Sequence, residues 1–269
     1  MNKDSIGNTF FIALSLCLVC SAVVALAAIG LKPIQDRNKA LDRKKNVLIA
    51  AGLIKRGDSA NIDQLFQKMV VDKIVDLESG QDVTSEYPSP AAFDPEATLE
   101  EKGKYRQLES KEDIATLKKR ENRAHVYLVK TSESDETPSK YVFPVRGKGL
   151  WSTMKGFLSL NSDLKTASGI TFYEDGETPG LGGEINSAAF QAQWPDKRIL
   201  DDSGKVVLKV SKTASGDSEI ASLSGATITS NGVQFMIQYW LGDAGFGKYL
   251  QNLQASGLRR AGLNQVDRR

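Results

Sequence analysis

The segment FFIALSLCLVCSAVVALAAIGL, residues 10–31, contains 22 residues and no charged side chain. As an α-helix it would be about 33 Å long, which is enough to cross the roughly 30 Å hydrocarbon core of a bilayer. A cleaved signal peptide is the alternative, since Ala25–Ala27 could serve a signal peptidase, but its apolar core usually spans only about 7–15 residues. We therefore predict an uncleaved transmembrane helix over residues 10–31, after a short segment, residues 1–9.

The charges that flank this segment are unequal. Lys3 lies on the amino-terminal side, whereas six basic residues crowd the other side: Lys32, Arg37, Lys39, Arg43, Lys44 and Lys45. Basic residues close to a span tend to stay in the cytoplasm. Taken alone, the flanking charges favour a cytoplasmic location for the rest of the chain.

Helical patterns and proline breaks dominate residues 32–123. Apolar residues at helical spacing predict a helix from Gln35 that ends at Gly57, and residues 61–77 follow as a second helical or mixed segment. The stretch YPSPAAFDPE excludes regular structure, and the charged residues 100–123 predict a solvated helix. We therefore expect a helical connecting region with a proline-rich break.

From residue 124 onward the period of the apolar residues changes to that of β-strands. The strand-like segments are AHVYLVK, KYVFPV, GFLSL, TASGITFY and KVVLKVSK, in this order. A short helix is predicted at NSAAFQAQW, a longer one behind LSGATITSNG, and a last one around residues 249–253. Because strands and helices are segregated more than alternated, we predict an α+β domain over residues 124–269, with a mostly antiparallel sheet flanked by helices.

The composition leaves few candidates for acid–base or nucleophilic catalysis. The chain has one histidine, His125, which lies in a strand-like segment, and both cysteines lie inside the apolar run. Apolar surroundings disfavour the thiolate that redox chemistry or a metal would need, so we predict no catalytic or metal-binding residue. The formal net charge is +2, with basic and acidic residues interleaved, so a nucleic-acid partner is not expected. Electron transfer stays open, because a bound cofactor would supply the chemistry.

The segment LSGATITSNG, residues 223–232, is the strongest candidate for holding such a cofactor. Gly225 and Ala226 allow another group to approach the backbone, and Thr227 offers a hydroxyl for esterification. Ser230 or Asn231 can cap the helix that follows, whose first amides favour a nearby phosphate. On composition alone, however, small residues before a helix are more typical of an ordinary turn.

The sequence SGAT followed by ITS resembles the motif at which FMN is attached covalently, through its phosphate, to the threonine hydroxyl, here that of Thr227. The fuller pattern usually has an aspartate three residues before the serine, where this chain has Ala221. Three further segments, GKGLWSTMKGFLSL, FYEDGETPGLGGEI and FQAQW, occur in the family's order. With the amino-terminal span they resemble the C subunit of the sodium-translocating NADH:quinone reductase over nearly the whole chain, and least around residues 78–120.

This resemblance implies a one-span electron carrier in a complex of six subunits in the bacterial inner membrane. The complex passes electrons from NADH to ubiquinone and exports sodium ions. The C subunit would accept an electron from an iron–sulfur centre in one of the membrane subunits and pass it towards the FMN of the B subunit. A flavin transferase would attach its FMN. Residues 1–9 would be a short cytoplasmic segment and the main domain would be periplasmic, opposite to the location that the flanking charges favour.

The residues expected around the flavin are Thr227, Ser224, Gly225, Ala226, Glu177, Thr178, Gly180, Leu181, Gly182 and Trp151. The glycine-rich loop would offer backbone amides and Leu181 to the flavin ring, whereas an aromatic such as Trp151 among strands is more typical of a core. Two alternatives stay open. One is the flavinylated G subunit of a ferredoxin:NAD reductase (Rnf-type) complex, and the other is a membrane-anchored assembly module without redox activity.

Overall fold

The computed structural model describes residues 6–135 and 137–266, in two compact units that divide between Arg43 and Lys44. The helices are α1 (Ile6–Ala50), α2 (Ile62–Met69), α3 (Pro95–Thr98), α4 (Ala188–Gln191), α5 (Thr227–Leu241) and α6 (Gly247–Val266). The strands are β1 (Val70–Asp76), β2 (Gln81–Asp82), β3 (Tyr105–Gln107), β4 (Lys119–Glu121), β5 (Arg123–Val129), β6 (Lys140–Lys148), β7 (Thr153–Asn161), β8 (Ala167–Glu174), β9 (Lys209–Ser211) and β10 (Glu219–Ala221). The fold is therefore α+β, as predicted.

Helix α1 contains the apolar run and is, among the described residues, the one helix long and apolar enough to cross a membrane. Its large apolar side chains, such as Leu14 and Leu26, are exposed on the helix surface. A soluble protein rarely exposes so much contiguous apolar surface, whereas a lipid bilayer would cover it. The helix therefore has the properties of a membrane anchor.

The carboxyl end of α1 is formed by Gly52, which adopts φ 70°. The amides of Gly52 and Leu53 donate to the carbonyls of Ile49 and Leu48, at 2.8 and 2.9 Å. This pair of bonds satisfies carbonyls that a helix end leaves free, and it needs a left-handed residue that glycine adopts without strain. The helix therefore ends before Gly57, where the sequence analysis placed its end.

The main sheet has six strands in the order β2-β1-β5-β6-β7-β8, and every neighbouring pair is antiparallel. Strand β6 pairs with β7 over its whole length, from Lys140 opposite Asn161 to Lys148 opposite Thr153. The four residues between these strands form a hairpin loop, Gly149–Ser152. The long ladder holds this loop at one end of the sheet.

Both faces of the sheet are buried. Adjacent residues of a strand point to opposite sides of the sheet, and each side packs in its own core. On one side Phe143 and Leu158 belong to a core that also contains Val233 and Ile237 of α5. On the other side Val142 and Phe157, the preceding residues of the same strands, pack in a second core. That second core includes α2 and the last turn of α1, whose residues Val47 and Leu48 are fully buried.

Further expectations about local structure were wrong. The stretch YPSPAAFDPE was expected to exclude regular structure, but α3 begins within it at Pro95. The charged residues 100–123 contain the short strands β3 and β4 instead of a solvated helix, and these strands pair with each other. Strand β1, inside the main sheet, comes from the stretch expected to be a helical connector. Of KVVLKVSK only Lys209–Ser211 forms a strand, which pairs in parallel with β10. Finally, α5 begins at Thr227, so Ser230 and Asn231 lie inside it and do not cap it.

Candidate functional site

The start of helix α5 is preceded by a tight turn. Gly225 has φ 74°, a conformation that side-chain-bearing residues rarely adopt, and Ala226 occupies the cap position without a side-chain hydrogen bond. The first amides of a helix have no partner within the helix. Thr227 is the first helical residue and is exposed to solvent. It therefore lies at the positive end of the helix dipole.

The four hydroxyls of LSGATITSNG have different environments. Thr229 is buried and donates to Oε2 of Glu177 at 2.5 Å. Ser230 is also buried, and its Oγ accepts the backbone amide of Leu223 at 3.0 Å. Ser224 and Thr227 are exposed. Folding therefore leaves two of the four hydroxyls accessible to a modifying group.

The carboxylate of Glu177 lies at the centre of the site, with only 6% of the residue exposed. Its Oε1 accepts the backbone amides of Trp151 at 2.9 Å and Ser152 at 3.3 Å, and its Oε2 accepts that of Leu150 at 3.1 Å. Burial raises the pKa of Glu177, but the hydrogen bonds from Thr229 and these three amides outweigh burial and lower the pKa below its ordinary value. The carboxylate is therefore ionised at neutral pH.

The hairpin loop Gly149–Ser152 presents Trp151 to solvent. This side chain is 66% exposed, and its Nε1 donates to Oγ1 of Thr178 at 3.2 Å. Lys148 secures the loop from the other side, because its Nζ donates to the carbonyl of Trp151 at 2.9 Å. The tryptophan is therefore a surface residue next to the glycine-rich loop and is not part of the core.

The glycine-rich loop packs directly on the turn before α5. A Cβ on Gly182 would lie 2.6 Å from Oγ1 of Thr229, and a Cβ on Gly225 would lie 3.1 Å from Cδ2 of Leu181. Larger residues at either position would push the loop away from the helix. Among the expected site residues, the structure thus joins Trp151, Thr178, Glu177, Leu181, Gly182 and Gly225 through direct contacts. Gly180 lies exposed in the same loop, and Ser224 and Ala226 flank Gly225.

Three residues near these positions were missed from the sequence. Thr229 links α5 to Glu177, and Leu150 and Ile228 are large apolar side chains with 45% and 57% exposure. Their signal in the sequence is their position beside Trp151 and Thr227. Periodicity does not indicate, however, whether a loop residue such as Leu150 or a residue in the first turn of a helix such as Ile228 is exposed. Exposed Leu150, Trp151, Leu181 and Ile228 give the site an apolar surface beside an anion-favouring helix start.

Such a combination fits a flavin mononucleotide, whose ring is flat and largely apolar and whose phosphate is anionic. Aromatic and aliphatic side chains can cover a ring of this kind, and a helix start with free amides suits the phosphate. The exposed hydroxyl of Thr227 lies at that helix start. The donor set and the apolar surface are therefore compatible with this cofactor.

A protein-family model described as the FMN-binding domain matches residues 149–242. This range contains the hairpin loop, the glycine-rich loop and helix α5, so this part of the chain belongs to the class of FMN-binding domains. Outside this range, one helix of the described residues, α1, is long and apolar enough to cross a membrane.

Comparison with individual proteins narrows this class. The C subunit of the Na(+)-translocating NADH-quinone reductase of Yersinia pestis is 39% identical over 262 residues, covering 96% of this chain and 97% of that protein. The Pasteurella multocida protein of the same name is 40% identical over 260 residues, covering 96% and 98%. The chain therefore belongs to the family of the C subunit of the Na(+)-translocating NADH-quinone reductase. This membership confirms the family resemblance found in the sequence, and it argues against the alternative that the chain is an Rnf-type G subunit.

Two solved structures have the same architecture. The crystal structure of NqrC from Shewanella oneidensis aligns with a TM-score of 0.73 at 29% identity, covering 81% of this chain and 99% of that one. The C subunit of the Na(+)-translocating NADH-quinone reductase from Parabacteroides distasonis aligns with a TM-score of 0.62 at 27% identity, covering 82% and 96%. The α+β fold of this chain is thus shared by both family members.

Proposed function

We propose that this chain carries FMN in a phosphoester bond to Thr227. On this proposal it is the electron-carrying subunit of a complex that couples NADH oxidation and ubiquinone reduction to sodium export. The main support for this attachment site is the exposure of Thr227 at the first position of α5. The neighbouring hydroxyls of Thr229 and Ser230 are buried and hydrogen-bonded.

Helix α5 favours a phosphate at this position. The unpaired amides and the positive end of the helix dipole stabilise an anion within the first turn, typically by about 0.3–1 kcal/mol at an exposed site. FMN, once attached, supplies the electron-transfer chemistry that the side chains of this chain lack. Trp151 and Leu181 provide exposed apolar surface against which a flavin ring can lie, and the phosphoester keeps the cofactor from dissociating.

The proposed partners follow from the names of the relatives and from the resemblance. They are the other five subunits, above all the FMN-bearing B subunit and the membrane subunits with iron–sulfur centres, and a flavin transferase for maturation. Helix α1 would anchor the chain by a single span in the inner membrane, with the main domain in the periplasm. Sodium would pass elsewhere in the complex, because residues 10–31 contain no charged side chain.

Intact mass tests the attachment. We expect the chain coexpressed with a flavin transferase to gain the mass of FMN less one water, and the denatured band to fluoresce under ultraviolet light. Thr227→Val should abolish both signals because the accepting oxygen is gone. Ser224→Ala, which removes the other exposed hydroxyl, should retain both signals and serves as the matched control.

Two outcomes would contradict the proposal. Loss of the added mass in Ser224→Ala with retention in Thr227→Val would move the attachment to Ser224. No added mass in the unaltered chain would favour the non-redox assembly module. Ala221, at the position of the family's usual aspartate, would then explain why the flavin transferase does not modify the chain.

A further inference from the structure

Glu177 is an unusual residue to bury at the site because it carries a charge without a cationic partner. Among the described residues no Lys or Arg forms an ion pair with it, and its bonds come from three amides and one hydroxyl. Burying an ionised carboxylate is costly unless several donors compensate it. At Glu177 the three amides and the hydroxyl supply this compensation.

The donors to Glu177 come from two segments that are distant in sequence. Leu150, Trp151 and Ser152 belong to the hairpin loop between β6 and β7, and Thr229 lies in the first turn of α5. A carboxylate has two oxygens and about four acceptor positions, whereas the amide of a glutamine has a single acceptor oxygen. Only an ionised acidic side chain of this length can accept all four bonds at once.

We infer that Glu177 is the positioning residue of the flavin site: it fastens the Trp151 loop to the start of α5, and its fixed negative charge makes the flavin on Thr227 harder to reduce. The electrostatic part of this inference rests on the proposed function. The fastening part does not, because it concerns contacts within the protein alone.

Electrostatics gives the direction of the effect. Thr229, the hydroxyl partner of Glu177, is two residues from Thr227 in the same helical turn. Adding an electron brings negative charge to this site, and a buried like charge opposes it more strongly than a charge in water does. Removing the charge of Glu177 should therefore raise the reduction potential.

Hydrogen exchange of the full chain in detergent, without attached flavin, tests the fastening. In Glu177→Gln at least two of the four donors lose their acceptor, so we expect the amides of residues 150–152 to exchange at least about tenfold faster, as loss of about 1.4 kcal/mol implies. Glu184→Gln is the matched control, because it removes an equal charge from a less buried position of the same segment. Unchanged exchange in Glu177→Gln would overturn the positioning role.

The reduction potential of the flavin-loaded chain tests the charge. We expect a more positive potential in Glu177→Gln than in the unaltered chain and in Glu184→Gln. Glu177→Asp keeps the charge but shortens the reach, so its amides should exchange faster while its potential stays close to the original. An unchanged potential in Glu177→Gln would overturn the electrostatic part. If the unaltered chain takes up no FMN, the proposed function fails, and the exchange measurement still decides the fastening.

Discussion

At the scale of single residues, the hydrogen bond between Thr229 and Glu177 helps to determine which hydroxyls of LSGATITSNG are accessible. It draws one hydroxyl of the segment into the interior, while Ser230 turns inward to the amide of Leu223. The sequence could identify this segment and, by family resemblance, Thr227. It could not indicate that Glu177 binds the hairpin loop by its carboxylate, because the donors are backbone amides, which every residue type except proline carries.

The lowered pKa of Glu177 predicts how stability depends on pH. A carboxyl whose pKa is lower in the folded state stabilises the fold above its unfolded pKa, near 4.5, and this contribution is lost as the pH falls through the folded value. We expect the difference in unfolding free energy between the unaltered chain and Glu177→Gln to be constant between about pH 7 and 5.5 and to shrink below about pH 4.5.

Urea denaturation at several pH values measures this difference, because other carboxyl groups titrate in both chains and cancel. Glu184→Gln serves as the control, because it removes the same charge from an exposed position of the same segment. A constant difference for Glu177→Gln down to about pH 3, below the unfolded pKa, would mean that its carboxylate does not stabilise the fold in its ionised form.

At the scale of elements, the accuracy of the sequence analysis followed the strength of the apolar pattern. Strands β5 to β8 and the buried face of α5 were predicted because they alternate or repeat over several residues and pack in the cores. Strands β3 and β4 have three residues each, are rich in charge and exist through their mutual pairing, which no local pattern reports. The start of α5 was misplaced because capping was assigned from residue type, whereas the Oγ of Ser230 binds Leu223.

The last turn of α1 belongs to the folded unit that begins at Lys44, and this predicts the effect of truncation. Removing residues 1–43 should leave a soluble, folded protein. Removing residues 1–51 also deletes Val47 and Leu48, both fully buried, and the carbonyl of Asn46 that accepts from Thr171. Burial of each of these two apolar side chains stabilises a fold by about 1.5–3 kcal/mol.

Urea denaturation followed by tryptophan fluorescence compares the two truncated chains. We expect the midpoint of the shorter chain to be clearly lower, or the chain to be unfolded at about 25 °C, the reference temperature of these energies. Equal midpoints would show that the last turn of α1 contributes nothing to the second core.

At the scale of the whole molecule, the flanking charges and the family disagree about the side of the membrane. The six basic residues after the span favour the cytoplasm, whereas the proposed function requires a periplasmic domain. We expect the proposed orientation to hold, because long domains are translocated largely regardless of flanking charge.

Labelling with a membrane-impermeant maleimide tests the orientation in spheroplasts. In a chain with Cys17→Ala and Cys20→Ala, Ser134→Cys in an exposed loop should react without lysis. Lys3→Cys, on the other side of the span, should react only after lysis and serves as the control. The reverse pattern would place the main domain in the cytoplasm and would contradict the proposal that its FMN is periplasmic.

The order of the strands also limits how the flavin-binding part could be transplanted. Every residue assigned to the site lies within the matched range 149–242, yet that range contains only β7 and β8 of the six-stranded sheet. Strand β6, which forms the other side of the hairpin that presents Trp151, lies before it, as does the last turn of α1. A fusion protein meant to display a tethered flavin should therefore contain the chain from Lys44 onward. A fragment that begins at residue 149 would lack the strand and the helical turn that support its loops.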